Sequence, residues 1–250
     1  MSESATAVVR EQAVEREDRL PRYHLRDLFD DEILAGITVR PADLGLAGRT
    51  ATADVVESWL RLSCIDPGIQ GVVVSRQIHG AGIVLHPRTV PGIVILDGYD
   101  GHVTASKGQL LAVTVADCVP VYLCAPGRAV SLLHAGWRGI AANGLEAAVD
   151  QLTQASGVGA RDIRIHLGVA ICGECYEVGA EVPKALGVHP GRTVDLRAVL
   201  ADRARRLGVR QVTTSSWCSR HDNVFHSYRR DGVSAGRMVA YLGRRSLDSS

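Results

Sequence analysis

Short, nearly unbroken apolar runs alternate along this chain with stretches in which apolar residues return every third or fourth position. The runs are "GVVVS" (71–75), "GIVIL" (92–96), "LLAVTVA" (110–116), "VPVYLC" (119–124), "AVSLLHA" (129–135) and "IRIHLGVAI" (163–171), with "RMVAYLG" (237–243) closing the series. These β-branched runs predict strands, and several are nearly continuous in apolar residues, as expected of strands covered on both faces. In "NGLEAAVDQLTQASG", Leu145, Ala148, Val149 and Leu152 fall on one helical face, and Gly157 supplies a stop. In "DLRAVLADRARRLG", Asp195 is placed to cap a helix whose stripe is Leu196, Val199, Leu200 and Leu207, with Gly208 behind it. No internal repeat or low-complexity linker divides the pattern. It predicts one α/β domain of the α+β type over residues 31–245, with mixed β-sheets and outer helices. The polar stretch over residues 1–30 is expected to be poorly ordered.

Length and composition narrow the reading further. A chain of 250 residues can bury a substantial core, and 46% apolar with 22% charged residues is ordinary globular composition. The formal net charge of +1 provides no field of one sign, which argues against nucleic acid or an anionic membrane as partner. No apolar run reaches membrane-spanning length, and the first residues lack the charge order and apolar centre of a signal peptide. A cytoplasmic protein is therefore expected, a monomer or small homo-oligomer acting on a small molecule. Six cysteines scattered over such a chain do not form a disulfide framework, so reduced thiols are the default.

Three segments share a pattern of hydrophobic strand, then a metal-competent residue, then glycine or proline. They are "VVVSRQIHG" (72–80), "LAVTVADCVP" (111–120) and "AVSLLHAGWRG" (129–139). Strand ends are where α/β folds place chemistry, because the backbone is fixed while the side chain faces an open crevice. His79, Cys118 and His134 would converge there, and two imidazoles with a thiolate suit zinc while leaving a fourth position open. Taken singly, each is more often a core thiol or a hydrogen-bonded structural histidine. The gaps between them match no short local zinc motif.

The motifs "RQIHG", "DGHVT", "VADCVPV", "HAGWRG", "CYEVG" and "SYRRDGVSAGRM" occur in this order. Together they resemble the YfiH-like family, also labelled polyphenol oxidase or laccase domain. Its members are described as zinc-dependent purine nucleoside phosphorylases with adenosine deaminase activity. The resemblance implies a YfiH-like fold and zinc on His79, Cys118 and His134. It also implies a nucleoside and phosphate as substrates. Arg76, Arg229 and Arg230, with Arg40 behind them, are the candidates for phosphate recognition, because a guanidinium fork pairs with two oxygens. Asp117, beside Cys118, is expected to orient a ligand or act as an acid, unless it serves only the turn.

The oxidase label conflicts with the ligand supply. Copper oxidase centres are imidazole-rich, and among the nine histidines no two are separated by a single residue. The cytidine-deaminase signature, H-x-E followed by P-C-x-x-C, is also missing. "CGEC" (172–175) reads as a lone C-x-x-C without a partner pair, so a packing role is expected there. Residues 38–62 lack the S-L-N-L-G and N-R elements typical of the family, which predicts a pocket altered on that side. Two other functions remain open. One is a Cys–His amidase or deamidase of the same fold, for example editing a peptidoglycan precursor, with Cys118 as nucleophile and His134 as base. The other is a non-catalytic protein that retains zinc, although structural zinc usually takes four protein ligands.

Overall fold

The computed structural model describes residues 6–13, 20–25, 28–46 and 53–246. Along the chain run β1 (Ala7–Val9), β2 (Gln12–Ala13), β3 (Arg22–His24), β4 (Ile33–Thr38) and α1 (Ala53–Ser63). Then come β5 (Gly71–Arg76), β6 (Ile83–His86), β7 (Gly92–Asp97), β8 (Gly101–Thr104) and β9 (Gln109–Val115). They are followed by β10 (Val119–Ala125), β11 (Ala129–Ala135), α2 (Trp137–Ala141), α3 (Gly144–Ser156) and β12 (Arg164–Leu167). The chain closes with α4 (Glu181–Leu186), α5 (Leu196–Arg206), β13 (Gln211–Ser215), α6 (Tyr228–Asp231) and β14 (Met238–Arg244).

The strands form two mixed sheets of seven. One runs β1-β13-β12-β10-β11-β8-β6 and the other β2-β3-β4-β14-β9-β5-β7. The period of two along each strand assigns its faces. In β10, Val121 and Leu123 pack beneath α3 and α5, whereas Tyr122 and Cys124 face the other sheet. In β9, Leu111 and Val113 join that inter-sheet layer, while Leu110 and Ala112 turn outward to Trp59 and Leu62 of α1. Both faces of the central strands are thus buried, which is why their sequences read as continuous apolar runs. The result is helix, sheet, sheet, helix, an α/β domain with outer helices.

Helix ends follow the side-chain chemistry. Asp195 accepts hydrogen bonds from the N–H groups of Arg197 and Ala198, capping α5. Gly157 ends α3 at φ 73°, where a Cβ would be strained. The run "IRIHLGVAI" is a strand only as far as Leu167. A Cβ on Gly168 would meet the Tyr122 ring at 2.8 Å, and from there the chain turns away toward a single bridge between Ala170 and Cys218. At the other end of the molecule, the described residues before position 31 add short strands and one buried acid. β1 pairs with β13 and β3 with β4, while Glu11 is buried against His166 and Ser215. Polar sequence there disguises buried polar pairing. No described helix is long and apolar enough to cross a membrane.

Candidate metal centre

Cys118 and His134 are brought together by register. Strands β10 and β11 run antiparallel with Pro120 opposite His134 and Val119 opposite Ala135, so Cys118 sits just off the end of that ladder. His79 arrives from the other sheet, three residues beyond β5. It has φ 60°, a left-handed conformation uncommon for a residue other than glycine. The ligand atoms of His79, Cys118 and His134 lie within 4.8 Å of one another, close enough to share one ion. The two imidazoles meet edge to face at 4.9 Å. The glycines of "HAGWRG" follow from this crowding. A Cβ on Gly136 would meet Cys118 Sγ at 3.1 Å and the His79 ring at 3.2 Å, and one on Gly139 would strike the Gly80 carbonyl at 2.6 Å.

Asp100 organises the cluster from beneath. Its carboxylate is wholly buried and accepts N–H bonds from Ile78, His79 and Gly80 at 3.2, 2.9 and 2.7 Å. The same carboxylate takes Nδ1 of His134 at 2.9 Å. That bond fixes the tautomer and leaves Nε2 free for a ligand, the support that metal-binding histidines generally carry. Burial works against the Asp100 carboxylate, but the His134 hydrogen bond and the N–H groups hold its pKa below the usual range. Burial likewise disfavours the Cys118 thiolate, yet His134 and then His79 pull its pKa down to about 6. Against its own burial, His134 is raised to about 9 by the Cys118 thiolate and by Asp100. The pair therefore favours the thiolate, the form of cysteine that binds metal or attacks as a nucleophile.

These groups border a pocket of about 470 Å³, whose walls include Gln77, Trp137, Arg138, Tyr176, Tyr228 and Arg229. Gln77 is pinned by three hydrogen bonds to Thr114, which ties the loop after β5 to β9. Of the four expected phosphate arginines, two reach this pocket. Arg76 does so while paired with Asp97 at 3.0 Å, and both side chains of that pair are well exposed. Arg229 stacks over Tyr176 at 4.6 Å and donates to the Glu177 carbonyl.

Arg230 and Arg40 do not line the pocket. Arg230 is held by Asp231 in a two-pronged ion pair and donates to the carbonyls of Ser219, Arg220 and Phe225, so its donors serve the loop before α6. Arg40 lies 3.7 Å from the same Asp231 carboxylate.

Asp117 has a bracing geometry. At φ 92° its Oδ1 accepts from Ser219 Oγ at 2.6 Å and its Oδ2 from the Arg229 N–H at 2.7 Å. The carboxylate ties α6 and the loop after β13 to the start of β10.

Asp100 lay in a matched motif with no chemistry assigned to it, and Arg138 and Arg237, which also line the pocket, were not singled out from sequence. "DGHVT" marks the Asp100 neighbourhood, but nothing local says that its carboxylate reaches back to residues 78–80. "CGEC" proves not to be solitary, because folding sets Cys218 and His221 beside Cys172 and Cys175.

The fold and the paired strand-end motifs define the class. The profile of the family described as "Multi-copper polyphenol oxidoreductase laccase" matches residues 39–245, and the chain belongs to that family, the YfiH-like proteins. Among its curated relatives, a "Purine nucleoside phosphorylase" of Deinococcus radiodurans is 38% identical over 181 residues, covering 67% of this chain and 68% of that protein. "Adenosine deaminase RL5", from an unknown prokaryotic organism, is 29% identical over 201 residues, covering 71% of this chain and 76% of its own. The crystal structure of YlmD from Geobacillus stearothermophilus superposes with a TM-score of 0.80 at 28% identity, covering 93% of this chain and 98% of that one.

Proposed function

We propose that His79, Cys118 and His134 hold one zinc ion with its fourth position facing the pocket, and that the chain acts there on purine nucleosides. The carrying observation is the convergence of three donors from two sheets within 4.8 Å, with His134 oriented by buried Asp100 at the pocket edge. The donor set fits: two imidazoles and one low-pKa thiolate match a borderline-soft cation, and the third ligand is superfluous for a plain Cys–His pair. Among the described residues, neither group of three or more close donors carries more than two imidazoles, which suits zinc better than clustered copper. When bound, zinc would supply Lewis acidity toward the group occupying its open position.

The chain's own residues divide the remaining work. Trp137, Tyr176 and Tyr228 offer ring faces for a base, and the pocket has the size of a small-molecule site. Arg76, Arg138 and Arg229 face it with guanidinium groups suited to phosphate oxygens. In phosphorolysis a phosphate oxygen attacks ribose C1′, the C1′–N9 bond breaks, and the base leaves with the electron pair. The guanidinium groups hold the attacking phosphate in line. Asp117 keeps Arg229 in place through its backbone, and so positions rather than reacts.

The wall altered in sequence bears on substrate choice. Residues 47–52 of that stretch lie outside the described residues, and among those described Leu46 lines the pocket. A pocket built for one set of hydrogen bonds rejects substrates that leave them unmade. Adenosine and inosine are therefore expected to turn over weakly, with a modified nucleoside or an amide as the better substrate. The test is a nucleoside panel with and without phosphate. Slow phosphate-dependent release of hypoxanthine supports the reading. A kcat/KM for inosine above about 10⁴ M⁻¹s⁻¹ shows the altered wall to be irrelevant, and no turnover of any nucleoside rejects the substrate class.

One observation favours a second reading. Asp100, His134 and Cys118 form an acid, imidazole and thiol series that needs no metal in a Cys–His amidase. That arrangement gives His79 no task, which is why zinc is preferred.

A further inference from the structure

We infer that Cys172, Cys175, Cys218 and His221 form a second, structural metal site for a zinc-class divalent cation, separate from the pocket. The two halves of the cluster have ribbon-like spacing. Cys172 and Cys175 form C-x-x-C on the loop after β12, and Cys218 and His221 form C-x-x-H on the loop after β13. Each pair alone is a weak signal. Folding joins them, through the bridge between Ala170 and Cys218 and the Ser219 N–H bond to the Ala170 carbonyl. All four ligand atoms then lie within 4.8 Å of one another, and Cys175 Sγ is 3.0 Å from His221 Nε2.

Three thiols and one imidazole supply four donors, the number a closed structural zinc site takes, whereas the His79 cluster supplies three. The loop backbone already meets one of these sulfurs. The Cys172 N–H donates to Cys218 Sγ at 3.4 Å, and the Cys175 N–H closes the turn onto the Cys172 carbonyl at 3.1 Å. Cys175 and Cys218 are buried, while exposed His221 gives an entry path. An odd number of thiols does not pair off into disulfides, but it matches a Cys₃His ligand set.

The location gives the ion a purpose. Tyr176 of the pocket follows Cys175 directly, and Arg220 donates to the Cys175 carbonyl. Ser219, between two of the ligands, holds the Asp117 carboxylate. A cation here would staple together the two loops that shape the Tyr176 and Arg229 wall.

The test is metal content per full-length chain purified without chelators, measured for wild type and three variants. Cys118→Ala should retain one zinc. After exchange to cobalt, that protein should show the strong charge-transfer absorption of a multi-thiolate site. Cys172→Ser/Cys218→Ser should hold one zinc fewer than wild type, and exposed His221→Ala should release its ion faster to a chelator. The Cys118→Ala measurement needs no substitution in the cluster, so misfolding of the double variant cannot mask the result. Loss of all metal from folded Cys118→Ala, or retained metal without thiolate absorption, would overturn the proposal. It stands even if the His79 cluster proves metal-free, since wild type would then hold one ion that Cys118→Ala keeps.

Discussion

Asp100 Oδ1 lies 2.9 Å from His134 Nδ1 and also accepts the backbone N–H of His79, so one buried carboxylate sets the position of two candidate ligands. Outer partners of this kind are typically worth about 10- to 100-fold in metal affinity. Asp100→Asn should therefore keep all three ligands yet weaken zinc retention by about that factor, read by competition with a chromophoric chelator. Unchanged affinity would reduce Asp100 to a loop anchor.

Asp117 satisfies two donors at once, Ser219 Oγ and the Arg229 N–H. Asp117→Ala strands both and should cost about 1–3 kcal/mol of stability in urea denaturation. Ser219→Ala removes one partner and should cost less. If nucleoside turnover falls in Asp117→Ala with KM for phosphate raised and kcat nearly kept, the residue positions Arg229. A loss confined to kcat, with an altered pH profile, would restore an acid role.

A buried imidazole chain makes stability pH-dependent. His102 lies between Ser75 Oγ at 3.3 Å and His86 at 3.0 Å. Burial, then the neighbouring His86, lowers its pKa from 6.5 to about 3, and burial also lowers that of His86. Above pH 6.5 the imidazole is neutral whether folded or unfolded, and its contribution is fully present. Between about pH 6.5 and about 3 the unfolded chain binds a proton that the folded one refuses. Stability should fall there by up to about 1.4 kcal/mol per pH unit for His102 alone. His102→Leu should be less stable at pH 7 yet lose stability less steeply on acidification, measured by denaturation across that range. Parallel curves would show that another group carries the acid sensitivity.

The layered core was legible because both faces of β5, β9, β10, β11 and β14 are covered, leaving their apolar runs unbroken. β8 was not, since "GHVT" buries His102 and Thr104 through side-chain hydrogen bonds that leave no hydrophobic period. The N-terminal strands β1 to β3 were hidden because each is only two or three residues long, and β1 and β2 are largely exposed. At the site, residues that close on each other across strand ends were recognisable from their motifs. That Arg230 and Arg40 do not line the pocket was not legible, because a sequence shows that an arginine is near a motif, not which carbonyls and carboxylates already occupy it. The partnership of Cys172 and Cys175 with Cys218 and His221 spans more than forty residues and exists only in the fold.

Under the proposed function, metal at His79, Cys118 and His134 carries nucleoside turnover. The direct measurement is the rate of phosphate-dependent nucleoside cleavage by wild type before chelation, after chelation and after returning zinc, with Cys118→Ala alongside. Activity should vanish with removal, return with zinc, and be absent from Cys118→Ala at every stage. Full activity in the metal-free protein, lost only in Cys118→Ala, would contradict the account and identify a Cys–His hydrolase instead.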